Sequence, residues 1–278
     1  MNFIKYIFYG IIFGVSNVIP GVSGGTMAIV FNFYDLLTES ITLNFKILKK
    51  NIMFIIPFGF GIIIGIFVFA SIISFLLENY TTSTYFGLIG IVLGSTPLII
   101  NKVKADPIKP LSYIFGIIAL GIMIAFIFVN EEGSGSILYN TLSIESFIVL
   151  LLSLVIAAAT MIIPGISGSL MLIVMGTYPT VINIVKTFDI TLMIPVLLGA
   201  LIGLLGGAKL ITIVLKKYKQ YTYMAILGLV IGSIFPLIKN SSITNLDATI
   251  IVPIICLIVM SIIIYMFSRY EIKNEKGE

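Results

Sequence analysis

Residues 17 to 30 read NVIPGVSGGTMAIV, and residues 161 to 174 read MIIPGISGSLMLIV. Each stretch sets Pro, Gly, Ser and Gly inside an apolar run. Proline removes a backbone donor and glycine tolerates unusual dihedrals, so each element must interrupt a helix. The interruption matters because of the solvent. The chain has 278 residues, 59% of them hydrophobic and 10% charged, with a mean hydropathy of +1.19. A soluble protein needs far more charge to cover its surface. Long apolar runs make this an all-α integral membrane protein. In lipid a broken backbone survives only when it is buried in protein or lines a wet cavity.

Composition excludes several chemistries. There is no histidine, which removes the commonest proton shuttle and metal ligand. The single cysteine, Cys256, rules out an intrachain disulfide and a thiolate metal site. No metal or other cofactor is expected. The net charge of +4 is not a nucleic-acid signal, because in a membrane protein the position of the lysines matters more than their sum. The opening MNFIKYIFYGIIFG lacks a small-x-small cleavage site, so a cleaved signal peptide is not expected.

Six runs are long enough to cross: residues 52–77, 85–101, 111–129, 192–214, 222–238 and 249–267. Segments 3–37 and 147–178 each carry a break. Each arm of a broken segment holds about 14 residues, or roughly 21 Å of helix, against a hydrocarbon core of about 30 Å. Each segment is therefore either a re-entrant hairpin or one broken crossing. Basic residues decide between these. If both segments are re-entrant, all 16 Lys and Arg face the cytoplasm except Lys186 and Lys239 outside and Lys209 within a span. If each crosses once, the same residues divide almost evenly. The positive-inside rule selects the hairpins and places both termini in the cytoplasm. The acidic loop NEEGSGS, residues 130–136, then lies outside.

Three crossings per half make the second half start on the opposite side from the first. The expected fold is two inverted-topology repeats, residues 1–140 and 141–278, each a re-entrant helical hairpin plus three transmembrane helices. The letters carry the duplication. Pro20, Gly21, Ser23, Gly24, Met27 and Tyr34 match Pro164, Gly165, Ser167, Gly168, Met171 and Tyr178 at an offset of 144. Pro57, Gly61, Gly65, Tyr80, Tyr85, Gly90, Gly94 and Ser95 match Pro195, Gly199, Gly203, Tyr218, Tyr223, Gly228, Gly232 and Ser233 at 138. Inverted repeats with interrupted helices are a transporter signature, with the site near the midplane where the breaks meet.

A helix resuming after such a break offers unpaired N–H groups to a phosphate or carboxylate. Ser23 or Thr26 can help cap it. The candidate anion cradle is Asn17, Ser23, Gly24, Gly25 and Thr26 with Ser167, Gly168 and Ser169. The plainer alternative is two kinks satisfied by serine caps and water. Lys209 either snorkels to the interface or faces inward as a counter-charge. Asp35 and Glu39 are either helix-end charges or coupling groups for a proton or sodium. Tyr80, Tyr85, Tyr218 and Tyr223 read as anchors at the membrane interface. GVSGG, residues 21–25, also fits the G-x-S-x-G nucleophile pattern. That chemistry relies on a histidine base, and the repeat copy GISGS lacks the final glycine.

Over about residues 3 to 267 the chain resembles the bacterial and archaeal polyprenyl-phosphate transporters, formerly a domain of unknown function. SNVIPGVSGGTMAIVFNFYDLL and PGISGSLMLIVMGTY carry the likeness. The resemblance implies a multi-pass protein of the cytoplasmic membrane that is a translocase, not an enzyme. Its partner would be undecaprenyl phosphate, or a related polyprenyl phosphate, amid membrane lipids. It would return that lipid carrier of wall-polymer synthesis (peptidoglycan, teichoic acid) from the outer to the inner leaflet. The rival readings are a transporter or ion-coupled exchanger of small soluble anions, an intramembrane lipid phosphatase or protease, and a nonspecific scramblase.

Overall fold

The computed structural model describes residues 2–18, 23–42, 44–104, 107–125, 128, 138–241 and 250–276. Pro20 and Gly21 of the first break and the loop 130–136 lie outside the described residues. The regular structure is helical throughout the described residues. In order it is α1 (Asn2–Val18), α2 (Gly24–Val30), α3 (Tyr34–Ser40), α4 (Phe45–Asn79), α5 (Thr81–Val103), α6 (Pro110–Ala125), α7 (Ile144–Ile162), α8 (Gly168–Val174), α9 (Tyr178–Thr187), α10 (Ile190–Lys217), α11 (Lys219–Gly232), α12 (Ile234–Asn240) and α13 (Ile251–Lys276).

Six segments are long and apolar enough to cross a membrane: Lys46–Ile66, Thr81–Val103, Ile144–Ile162, Ile190–Lys217, Lys219–Asn240 and Ile251–Tyr270. The pair Gly168–Val174 and Tyr178–Val185, bent by 120°, would make a seventh. Two expectations shift. The run expected at 111–129 is a helix over Pro110–Ala125, with residues 126 and 127 outside the described set. The arms before the breaks are longer than about 14 residues, since α1 has 17 residues and α7 has 19. In α7 the extra length has a local cause. Ser143 and Ser146 form a reciprocal capping box that starts the helix at Ile144, and it runs on to Ile162. The arm after each break is not one helix but two short ones, divided at Phe31–Phe33 and at Met175–Thr177.

The duplication recurs in the packing. A Cβ on Gly61 would collide with the Ile7 carbonyl, and one on Gly65 with that of Ile11. Gly199 stands in the same relation to Leu151, and Gly203 to Val155. Ile7 and Leu151 differ by the first offset of the sequence repeat, Gly61 and Gly199 by the second. Residue numbers rise together along each contact, so α1 runs parallel to α4, and α7 to α10. Two further parallel pairs join the halves. Gly90 and Gly94 of α5 lie on Leu257 and Ser261 of α13, and Gly228 of α11 lies on Gly116 of α6. Ser261 and Ser268 donate to the Gly90 and Gly94 carbonyls at 3.2 and 3.1 Å. Without a hydrophobic drive between helices in oil, small residues that let backbones approach supply the attraction.

The chain folds back at each broken segment. Tyr6, near the start of α1, packs its ring on Phe54 of α4, while Asn51 of the same helix donates to Ser40 at the end of α3. α3 also reaches the far end of α10, where Lys216 lies 3.9 Å from Glu39. α9 instead joins the near end of α10 through Phe188 and Asp189, whose carboxylate accepts from the N–H groups of Thr191 and Leu192. The two folded-back segments therefore return to opposite ends of α10.

Gly203→Ala should lower the thermal midpoint of the purified protein, at a cost of about 1–3 kcal/mol for forcing α7 and α10 apart. Gly206→Ala on the same helix, where a Cβ meets nothing within 4 Å, should leave the midpoint unchanged or raise it.

Candidate functional site

The two breaks meet. The Thr26 hydroxyl accepts the Gly165 N–H at 2.7 Å. The Ser23 hydroxyl donates to the Ile163 carbonyl at 3.4 Å, and the Tyr34 hydroxyl to the Ile162 carbonyl at 2.9 Å. These bonds give donors and acceptors to backbone groups that α7 and the break leave outside any helix.

Close approach needs glycine here. A Cβ on Gly25 would stand 2.9 Å from the Ile162 carbonyl oxygen and 3.1 Å from the Pro164 nitrogen. Gly165 has φ of +91°, the left-handed region, and its missing side chain leaves room for the α11 backbone at Leu229. The two restart points share one geometry. Ser23 and Ser167 are both extended, at φ −105°, ψ 133° and φ −92°, ψ 133°. Met27 N–H bonds the Ser23 carbonyl at 3.2 Å and Met171 N–H that of Ser167 at 3.3 Å.

The expected cradle is thus brought together only in part. Ser23, Gly24, Gly25 and Thr26 are all buried. Neither Ser23 nor Ser167 caps its own helix through its side chain, contrary to the capping expected of Ser23 or Thr26. Proximity of the other break wins, because Ile163 and Gly165 present backbone groups in oil that the hydroxyls can satisfy. Ser167 is half-buried and Ser169 exposed, with their hydroxyls 2.7 Å apart. Asn17 is exposed, and its amide donates back to the Phe13 carbonyl at 2.7 Å. A Cβ on Gly24 would meet the Phe13 ring and that amide, and one on Gly168 the Met161 side chain, the repeat counterpart of Asn17. Lys209 is exposed. It follows by two residues the Gly207 that packs on Ala159, so it lies about 200° around α10 from the seam with α7.

Asp35 and Glu39 lie at the end of the molecule that holds the C-termini of α5 and α10. The Tyr223 hydroxyl donates to Asp35 at 3.1 and 3.3 Å, and Lys102 Nζ lies 3.5 Å from the same carboxylate. Asp35 sits in the first turn of α3, where the free N–H groups favour a negative charge. Both carboxylates are therefore tied to neighbouring elements.

Sequence reasoning placed two tyrosines wrongly. Tyr80 and Tyr218 are exposed at 56% and 48%, as interface anchors should be, but Tyr85 and Tyr223 are 6% and 3% exposed. They fall one turn inside α5 and α11, facing the protein. Tyr34 was missed as a contact to the second break, although its pairing with Tyr178 in the repeat marked it.

The geometry can be set beside known proteins. The family described as undecaprenyl phosphate translocase-like matches residues 13–250. A polyprenyl-phosphate transporter of Vibrio cholerae is 32% identical over 249 residues, covering 84% of this chain and 77% of the relative. One of Staphylococcus aureus is 28% identical over 236 residues, covering 81% and 83%. No solved structure matches.

Thr26→Val should remove the acceptor for the buried Gly165 N–H and lower the thermal midpoint, by about 1–3 kcal/mol. Thr26→Ser should retain most of the wild-type midpoint.

Proposed function

The chain belongs to the undecaprenyl phosphate translocase-like family, and we propose that it carries undecaprenyl phosphate, or a related polyprenyl phosphate, from the outer to the inner leaflet of the cytoplasmic membrane. The observation that carries this reading is the crossing of two backbone breaks at Thr26 and Gly165. The relatives' names support the substrate class, and this reading sets the phosphate at the crossing.

In this reading the folded-back segments are re-entrant hairpins of two inverted-topology repeats, and the end bearing Lys102 and Lys216 faces the cytoplasm. The return of the hairpins to opposite ends of α10 supports it. A phosphate inside the bilayer must exchange hydration for fixed donors, since an unpaired buried charge is prohibitively costly. The donors on offer are the amides of Gly24, Gly25 and Thr26, those of Gly168 and Ser169, and the hydroxyls of Ser23, Ser167 and Ser169. α2 and α8 have seven residues each, so local amides and hydroxyls outweigh any long helix dipole.

The hydroxyls that join the breaks are then also those that would receive the head group. Phosphate oxygens replace the Ile163 carbonyl as acceptor for Ser23, the crossing loosens, and the halves rock to expose the head group to the other side. The isoprenoid stays in lipid, so only the phosphate meets a barrier. The lipid leaves chemically unchanged. A proton or sodium ion could couple through Asp35 or Glu39 by weakening their ties to Lys102, Tyr223 and Lys216.

The test uses purified protein in liposomes carrying undecaprenyl phosphate in one leaflet. Wild-type protein should move the lipid without releasing inorganic phosphate. Ser23→Ala with Ser167→Ala should slow movement about tenfold or more, the scale of one lost charge-assisted hydrogen bond, while the protein elutes as folded. Wild-type movement by that variant would remove the hydroxyls from the path, and phosphate release would favour a phosphatase.

A further inference from the structure

An apolar cleft of about 550 Å³ opens between α6, α10 and α11. Phe115, Val214 and Ala225 line its walls. Its size falls in the ~300–1,000 Å³ range of ligand pockets. Its two ends differ in kind.

One end reaches the crossing. Ile163, whose carbonyl accepts from Ser23, lines the cleft. So does Leu229, on whose backbone Gly165 rests. The other end is a mouth framed by the rings of Tyr218 and Tyr221. Lys217 Nζ lies 5.2 Å from the Tyr218 ring centre, and Lys109 Nζ lies 5.8 Å from that of Tyr221. The mouth is held by a buried amide. Gln220 accepts the Lys109 N–H at 3.0 Å and donates to the Pro107 carbonyl at 2.9 Å.

A slot that is oily along its length and positive at its mouth complements an amphiphile with one anionic head and a hydrocarbon tail. We infer that the cleft holds the isoprenoid tail of the polyprenyl phosphate, with the phosphate at Lys109 and Lys217: a holding station in the lysine-side leaflet, separate from the crossing. This rests on the transport reading above. Moving a tail from lipid into an apolar slot gains little by hydrophobicity, since both surroundings are oily. Shape fit and the two lysines must supply the preference. Each ammonium lies over a ring and carries three N–H donors for phosphate oxygens. The inner end of the tail would press on Ile163 and Leu229, and so on the Ser23 and Gly165 contacts, which makes occupancy felt at the crossing.

The chain contains no tryptophan, so Phe115→Trp gives a single fluorescent reporter in the wall of the cleft. Full-length protein in liposomes would be titrated with undecaprenyl phosphate, undecaprenol and phosphatidylglycerol. The expected result is a saturable change with undecaprenyl phosphate and a response at least about tenfold weaker to the other two, which lack the head or the tail. Adding Lys109→Gln and Lys217→Gln should weaken undecaprenyl phosphate about tenfold, as for a lost charged hydrogen bond. Ala225→Phe, or Val214→Phe from the opposite wall, should abolish the change. An equal response to phosphatidylglycerol would make the cleft a bulk-lipid groove and overturn the station. Unaltered titration in the lysine and cleft variants would do the same. If these variants bind as expected while Ser23→Ala with Ser167→Ala transports normally, the station stands and the role of the crossing falls. The opposite pair of results retains the crossing and removes the station.

Discussion

The contact on which the rest depends is one hydroxyl, from Thr26 in the first half of the chain, accepting one backbone N–H, from Gly165 in the second. In oil no backbone group can be left to water, so a chain that breaks two helices must answer each break with protein. Here each break helps to answer the other. That requirement brings two elements far apart in sequence to one point. It demands glycine at Gly25 and Gly165, and it makes two interrupted stretches of backbone an internal junction. A polar junction that protein has only just satisfied is also one that a phosphate, rich in acceptors, can compete for.

The halves share a backbone plan and not a core. Tyr9 and Phe33 stack at 4.4 Å in the first half, beside Phe54 and Phe58, themselves stacked at 4.8 Å. The counterparts at the sequence offsets are Ser153, Thr177, Leu192 and Val196. Ser153 and Thr177 are fully buried, and their hydroxyls have no hydrogen-bond partner among the described residues. The first broken segment is further tied by Asp35 to Lys102 and Tyr223 and by Glu39 to Lys216, where the second has Pro179 and Asn183 at the matching positions. The ion pairs are partly exposed and contribute about 0–1 kcal/mol each. The stacked rings contribute about 0.5–1.5 kcal/mol per pair beyond the area they bury. Moving α8 and α9 therefore breaks fewer contacts than moving α2 and α3.

Much of this was legible in the letters because it is backbone chemistry. Pro-Gly inside an apolar run dictates a break wherever the chain folds, and Gly61, Gly65, Gly199 and Gly203, paired at the second offset, are the ones that seat α4 on α1 and α10 on α7. What escaped is what depends on the third dimension. Nothing in SGGT says whether Thr26 caps its own helix or reaches the other break. Tyr85 and Tyr223 carry the same letter as the exposed Tyr80 and Tyr218 and differ only by a turn of helix. The length of α7 followed from two serines, Ser143 and Ser146, whose reciprocal bond lies upstream of the apolar run that drew attention. The cleft between α6, α10 and α11 has no motif at all, since Leu, Phe, Val and Ala lining it read as ordinary lipid-facing residues.

The central claim is that the crossing opens during transport. Hydrogen exchange at the Gly165 amide, which the Thr26 hydroxyl holds, reads the crossing directly and needs no substitution. Protein moving undecaprenyl phosphate between leaflets should exchange that amide faster than protein held with undecaprenol. Unchanged protection of that amide while the lipid moves would contradict the account.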